Sequence, residues 1–203
     1  TTETIPNESQ IYIAVLNKAA DITTAGSLYD ENGYKFIDAQ DIGAIGNNAF
    51  KDTKLVYNLV VSDGITLIGD SAFENSFINT VSFSSVTYIG NRVFKNCEYL
   101  LSVNLIDQTD VIGKEAFYGC TQLSSISIPK SCKQIGFGAF AECTALKTVS
   151  FSSSLGCNVG EYAFYNCPNI DSVTFPLSHS FSFGKACFAM LAGTGTNCKL
   201  TKF

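Results

Sequence analysis

The chain is 203 residues long, 46% hydrophobic and only 15% charged, so many apolar side chains must be hidden in a regular way. Its 13 Lys and Arg residues are scattered among 18 Asp and Glu, for a net charge of −5 and an isoelectric point near 4.8. No clustered basic patch is available to hold phosphates, which argues against nucleic acid, and no run approaches the roughly 20 apolar residues of a membrane helix, so no membrane insertion is expected of this segment.

Residues 1–40 carry no repeated pattern and are expected to fold as an N-terminal cap. Their opening, TTETIPNESQ, has neither the basic nor the apolar region of a targeting signal, and the apolar run IYIAVLNKAA is broken by Asn17 and Lys18. From there to the end, residues 41–203 read as one structural domain built on a repeat. The motif recurs as IGNNAF (45–50), IGDSAF (68–73), IGNRVF (89–94), IGKEAF (112–117), IGFGAF (135–140), VGEYAF (159–164) and FGKACF (183–188). Its glycines, Gly46, Gly69, Gly90, Gly113, Gly136, Gly160 and Gly184, fall at nearly even intervals, too regular for chance.

Each period continues in the same way. Three residues after the Phe comes Thr53, Ser76, Cys97, Cys120, Cys143, Cys167 or, in the last copy, Leu191. An alternating apolar pair follows further on: Leu59/Val61, Val81/Phe83, Val103/Leu105, Ile126/Ile128, Val149/Phe151 and Val173/Phe175. Period-two alternation in short stretches bounded by turn formers marks half-buried strands. One such unit cannot bury its own apolar side, so the units stack as coils and their strands form a parallel sheet. The recurring Gly is expected at a corner that needs positive φ. The four residues after it, such as KEAF, are expected to form a short helical turn with Ala and Phe inward and the two polar residues in water. Phe50, Phe73, Phe94, Phe117, Phe140, Phe164 and Phe188 then fall into a single column through the core.

The run IGKEAFYGCTQLSSISIPKS, Ile112 to Ser131, resembles the BspA-like, Treponema-type leucine-rich repeats, and the resemblance extends over about Ile42 to Phe203. It implies a leucine-rich repeat solenoid: a right-handed, curved stack of about seven coils, each roughly 21–24 residues long, with the parallel sheet on the concave face and short helical turns opposite. It further implies a bacterial or protozoan protein at the cell surface or secreted, which binds host matrix proteins, glycans or other cells.

The side-chain chemistry points away from catalysis. Cys97, Cys120, Cys143 and Cys167 lie one period apart and are expected to stack as buried, reduced thiols that donate to loop carbonyls. Among Cys132, Cys157, Cys187 and Cys198 a disulfide is an open alternative. No C-x-x-C pair supports zinc, no phosphate-loop motif occurs, and the single histidine, His179, is placed in a surface loop; no metal and no cofactor are expected. What remains is the outward face of the strands. Thr80, Ser102, Ser125, Thr148 and Ser172 form one column, and Ser82, Asn104, Ser127, Ser150 and Thr174 another, all small, polar and uncharged. This strip is the candidate ligand-binding face of a noncatalytic binding or adhesion module, expected to be monomeric. Tyr118, Tyr162 and Tyr165 on the opposite side are the rival surface, and a structural spacer without a ligand is the alternative function.

Overall fold

The computed structural model describes residues 44–54, 58–61, 63–152, 156–176 and 181–189, together with the backbone of Ile13–Leu16. Cys198, His179 and most of the expected cap lie outside the described residues. Along the chain run β1 (Ile13–Leu16), β2 (Ala44–Ile45), β3 (Asn58–Val61), β4 (Leu67–Ile68), β5 (Thr80–Phe83), β6 (Tyr88–Ile89) and β7 (Ser102–Asn104). They are followed by β8 (Val111–Ile112), β9 (Ser125–Ile128), β10 (Gln134–Ile135), β11 (Thr148–Phe151), β12 (Asn158–Val159), β13 (Ser172–Thr174) and β14 (Ser182–Phe183).

All described pairings are parallel, and the strands alternate between two sides of the solenoid. The longer, odd-numbered strands carry the alternating apolar pairs, and in β5, β9 and β11 each outward residue is followed by a buried one. The even-numbered strands are the residues just before each repeated Gly and form one continuous sheet from β2 to β14. β1, inside the expected cap, adds to the odd-numbered sheet by pairing Ile13 with Asn58 and Leu16 with Val61.

Between the two sides the core is a set of columns. The rings of Phe50, Phe73, Phe94, Phe117, Phe140, Phe164 and Phe188 stack face to face with centroids 5.0 to 5.4 Å apart, as the repeat requires. Beside them runs the cysteine column: Cys97, Cys120, Cys143 and Cys167 are buried and each thiol donates to the carbonyl of the Phe in the coil before, Phe73, Phe94, Phe117 and Phe140, at 3.1 to 3.2 Å. Ser76 does the same with its hydroxyl to Phe50 at 2.7 Å, which explains why Ser substitutes for Cys here.

Two expectations are corrected. The segment after each Gly is a chain of tight turns rather than a helical turn. Its amides do not all bond within the segment: Asn48, Phe50 and Asp52 donate to the carbonyls of Asp70, Ala72 and Glu74 in the next coil, at 2.6 to 2.9 Å. The intervening Ala49 and Lys51 amides close local turns onto Gly46 and Asn48. Backbone donors committed sideways to a neighbouring coil cannot make the i to i−4 bonds of a helix. The left-handed residues that these turns need fall at the second and sixth places after the Gly, as at Ser71 (φ 57°) and Asn75 (φ 58°).

The second correction concerns the repeated Gly. None of Gly46, Gly69, Gly90, Gly113, Gly136, Gly160 and Gly184 is among the residues with positive φ. The reason for glycine is close approach: a Cβ on Gly160 would sit 2.7 Å from the carbonyl carbon of Gly136 and 2.8 Å from the amide nitrogen of Phe137. The coils touch backbone to backbone at this column, so a side chain has no room.

Candidate recognition surface

The structure brings the strand-face residues into register. Thr80 pairs with Ser102 and Ser82 with Asn104 across β5 and β7. Thr148 stands between Ser125 and Ser172, and Ser150 between Ser127 and Thr174, across β9, β11 and β13. Ser102, Asn104, Ser125, Ser127, Thr148 and Thr174 are exposed, whereas Thr80, Ser82, Ser150 and Ser172 are half-buried. Thr80 is already engaged, its hydroxyl donating to Asn58 Oδ1 at 2.6 Å. The hydrogen-bonded ladder along the strip is not continuous: one ladder runs β1-β3-β5-β7 and the other β9-β11-β13, although β7 and β9 remain neighbours. The candidate face is thus a block of four residues beside a block of six.

On the turn side, sequence reading recognises three tyrosines but not the cleft they border. Two columns of outward side chains lose their bulk in one coil. At the first place after the core Phe the order is Lys95, Tyr118, Ala141, Tyr165; at the second place after the Gly it is Arg92, Glu115, Gly138, Tyr162. Gly138 and Ala141 therefore floor an opening of about 300 Å³, walled by Tyr118 and Glu115 on one side and Tyr162 and Tyr165 on the other, with Phe137 and Glu142 closing its ends. Gly138 also has φ +59°, so its lack of a side chain serves the turn as well as the opening.

The charges around this cleft are unequally satisfied. Glu115 accepts from Lys95 Nζ at 2.8 Å and Arg92 Nε at 3.2 Å, so it is held by cations rather than left facing water. Burial pushes its carboxyl up, but the hydrogen bonds and charges of Lys95 and Arg92 outweigh that and hold it below the ordinary value. Lys95 also lies over the Tyr118 ring at 4.9 Å, and Lys114 over Phe137 at 5.3 Å. Glu142 accepts from Asn166 Nδ2 at 2.6 Å, and among the described residues no cation lies within ion-pair distance of it.

The thiols are placed for packing. Burial pushes Cys97 up to about 12, and Cys120 and Cys143 well above their ordinary value, so these groups stay protonated at neutral pH. Each of the seven described cysteines carries a thiol rather than a disulfide. Cys132 and Cys157 come from successive coils: the Cys132 thiol donates to the Gln134 carbonyl at 3.6 Å, the neighbouring Cys157 thiol together with burial pushes Cys132 up, and the Cys132 thiol draws Cys157 down. Among the described residues no group of three or more His, Cys, Asp or Glu is arranged to hold a metal ion, and no helix is long and apolar enough to cross a membrane.

Parallel two-sided coils, an inward aromatic column and a short repeat with one strand pair and one turn segment per copy define a leucine-rich repeat solenoid. The chain belongs to the BspA-type leucine-rich repeat family, whose repeat region matches it in six copies over residues 27–136 and 110–195. No curated protein matches the sequence. Among solved structures it is similar to the leucine-rich repeat protein TpLRR of Treponema pallidum, at 20% identity over 87% of this chain and 81% of that one, with a TM-score of 0.64. It is also similar to the pneumococcal vaccine antigen PcpA, at 19% identity and a TM-score of 0.57, with 87% of this chain aligned to 53% of that one. At these identities the likeness is one of fold.

Proposed function

We propose that this chain is a noncatalytic recognition module of a surface-exposed or secreted protein, which binds a protein or glycan partner through the outward face of its odd-numbered strands. The observation that carries this reading is the registered array of Ser125, Ser127, Thr148, Ser150, Ser172 and Thr174, uncharged hydroxyls repeated on neighbouring strands. Such an array presents donors and acceptors at a regular pitch of about 4.8 Å, to which the hydroxyls of a glycan or the polar groups of an extended peptide can bond. The surface location is supported by family membership and by the similarity to PcpA, a vaccine antigen. The seven described thiols, in contrast, are buried within the stack rather than offered on its surface.

The test is to screen the chain against extracellular-matrix proteins and a glycan array, then to repeat any positive with Ser125, Ser127, Thr148 and Ser150 replaced together by Lys. Loss of binding supports the strand face. Binding that survives the four lysines rules this face out, and a chain that binds nothing in either screen acts as a spacer.

A further inference from the structure

The cleft over Gly138 and Ala141 is a missing rung in an otherwise filled stack. Tyr118 and Tyr165 occupy the same column two coils apart, and with core rings at 5.1 and 5.2 Å per coil their positions are separated by about 10 Å. Van der Waals contact needs about 3.5 to 4 Å on each side of a flat group, so the space between them admits one planar layer but not two. Tyr162 meets Tyr165 edge to face at 5.5 Å and stiffens that wall.

The chain itself shows what this column accepts. One coil earlier, the Lys95 ammonium covers Tyr118 from the other side, and in the neighbouring column Lys114 covers Phe137. Cations thus cover rings in both columns before the coil in which Ala141 leaves one column empty, while Phe137 meets Tyr162 ring to ring at 5.5 Å. Glu142, in that same coil, lacks an ion-pair partner among the described residues, whereas Glu115 is already neutralised by Lys95 and Arg92. Lys114 is a like charge to such a cation, but it does not line the cleft and is held over Phe137, five positions before Glu142 in the chain.

From this we infer that the cleft is a docking site for a basic side chain of a protein partner, an exposed arginine, whose guanidinium stacks between Tyr118 and Tyr165 and pairs with Glu142. Arginine fits better than lysine because its cation is planar, stacks on aromatic faces and is more weakly hydrated. The inference rests on the reading of the chain as a recognition module, but assigns it a second face.

The experiment uses the full 203-residue chain with labelled tyrosine rings. N-acetyl-L-arginine amide is titrated while the Tyr118, Tyr162 and Tyr165 signals are followed by NMR, with the citrulline analogue as uncharged isostere and methyl glucoside as a sugar. The expected result is a saturable shift of these signals by the arginine probe, at least tenfold weaker for citrulline and absent for the glucoside. Glu142→Gln weakens the arginine response about tenfold, and Ala141→Leu, which fills the floor, abolishes it. Equal responses to arginine and citrulline, a response to the glucoside alone, or an unchanged response in Glu142→Gln would overturn the inference, and the Gln variant remains decisive even where the Leu variant folds poorly. The four-lysine strand-face variant should leave the arginine titration unchanged; losing it there would place the response outside the cleft, while the matrix and glycan screens judge the strand face separately.

Discussion

Replacing Gly113 by alanine is a direct test of what holds the coils together. A Cβ there would fall against the carbonyl of Gly90 and 2.8 Å from the amide nitrogen of Asn91, both backbone atoms. Neither side can move freely. The Gly113 amide donates to Ile89 at 2.8 Å, β6 and β8 are paired immediately before it, and the Lys114 amide immediately after it donates to Asn91 Oδ1 at 2.9 Å. Overpacking of this kind costs about 1 to 3 kcal/mol, and the rigidity of the contacts favours the upper end. Against it stands a gain of about 0.4 to 1 kcal/mol, because alanine has less freedom than glycine to lose on folding where φ suits both. A net loss of roughly 2 kcal/mol lowers the melting temperature by about 4 to 8 °C in a chain of this length. Circular-dichroism melts of the wild type and Gly113→Ala provide the assay. Should the variant melt at the same temperature or higher, the entropic gain would be acting alone and the backbone contact between coils would not be the reason for the repeated glycine.

Further outcomes follow from the columns. Phe117→Ala removes a fully buried ring stacked on Phe94 and Phe140 and should cost about 3 to 5 kcal/mol, read as a fall in urea midpoint; an unaffected midpoint would contradict the column. Stability should decline in alkali: the folded state holds Cys97 at about 12 against 9.0 when unfolded, so its contribution is complete below pH 9 and is lost as pH rises through that interval. Each such thiol contributes a slope of about 1.4 kcal/mol per pH unit above pH 9, and Cys97→Ser should flatten the urea-midpoint profile between pH 8 and 10 by its share; an identical profile in the variant would refute the assignment. Finally, all eight cysteines of the chain should titrate as free thiols in denaturant without reductant, and a lower count would place a disulfide in it.

The repeat made the solenoid legible because each column is written once per period in residue type. The inward Phe, the Cys or Ser donor and the alternating strand pairs could be read directly, since burial selects those types at fixed places. Partners that lie a whole period away in sequence could not. The KEAF-like segments are rich in helix formers, yet their amides bond to the next coil, a long-range choice that local propensity does not encode. The even-numbered sheet, with its very short strands, offers too little for period-two alternation to reveal. The recurring Gly was visible, but positive φ and close approach demand the same residue, and only the positions of neighbouring coils separate them. The break between β7 and β9 has no counterpart in the spacing, since Gly90, Gly113 and Gly136 are evenly placed along the chain. The cleft could have been found by reading the outward columns vertically, where Gly138 and Ala141 interrupt a series of large side chains.

That interruption has an evolutionary consequence. Because every coil offers its neighbour the same donors, glycine contact and Phe ring, unequal recombination that deletes or duplicates one whole repeat leaves a chain that can still close its stack. Gly138, Ala141 and Glu142, by contrast, occur together in a single copy. Gene conversion from an adjacent repeat would restore a regular coil and erase the cleft without unfolding the protein, so in such a lineage the scaffold resists change in copy number while the irregular coil is the part that selection must actively keep.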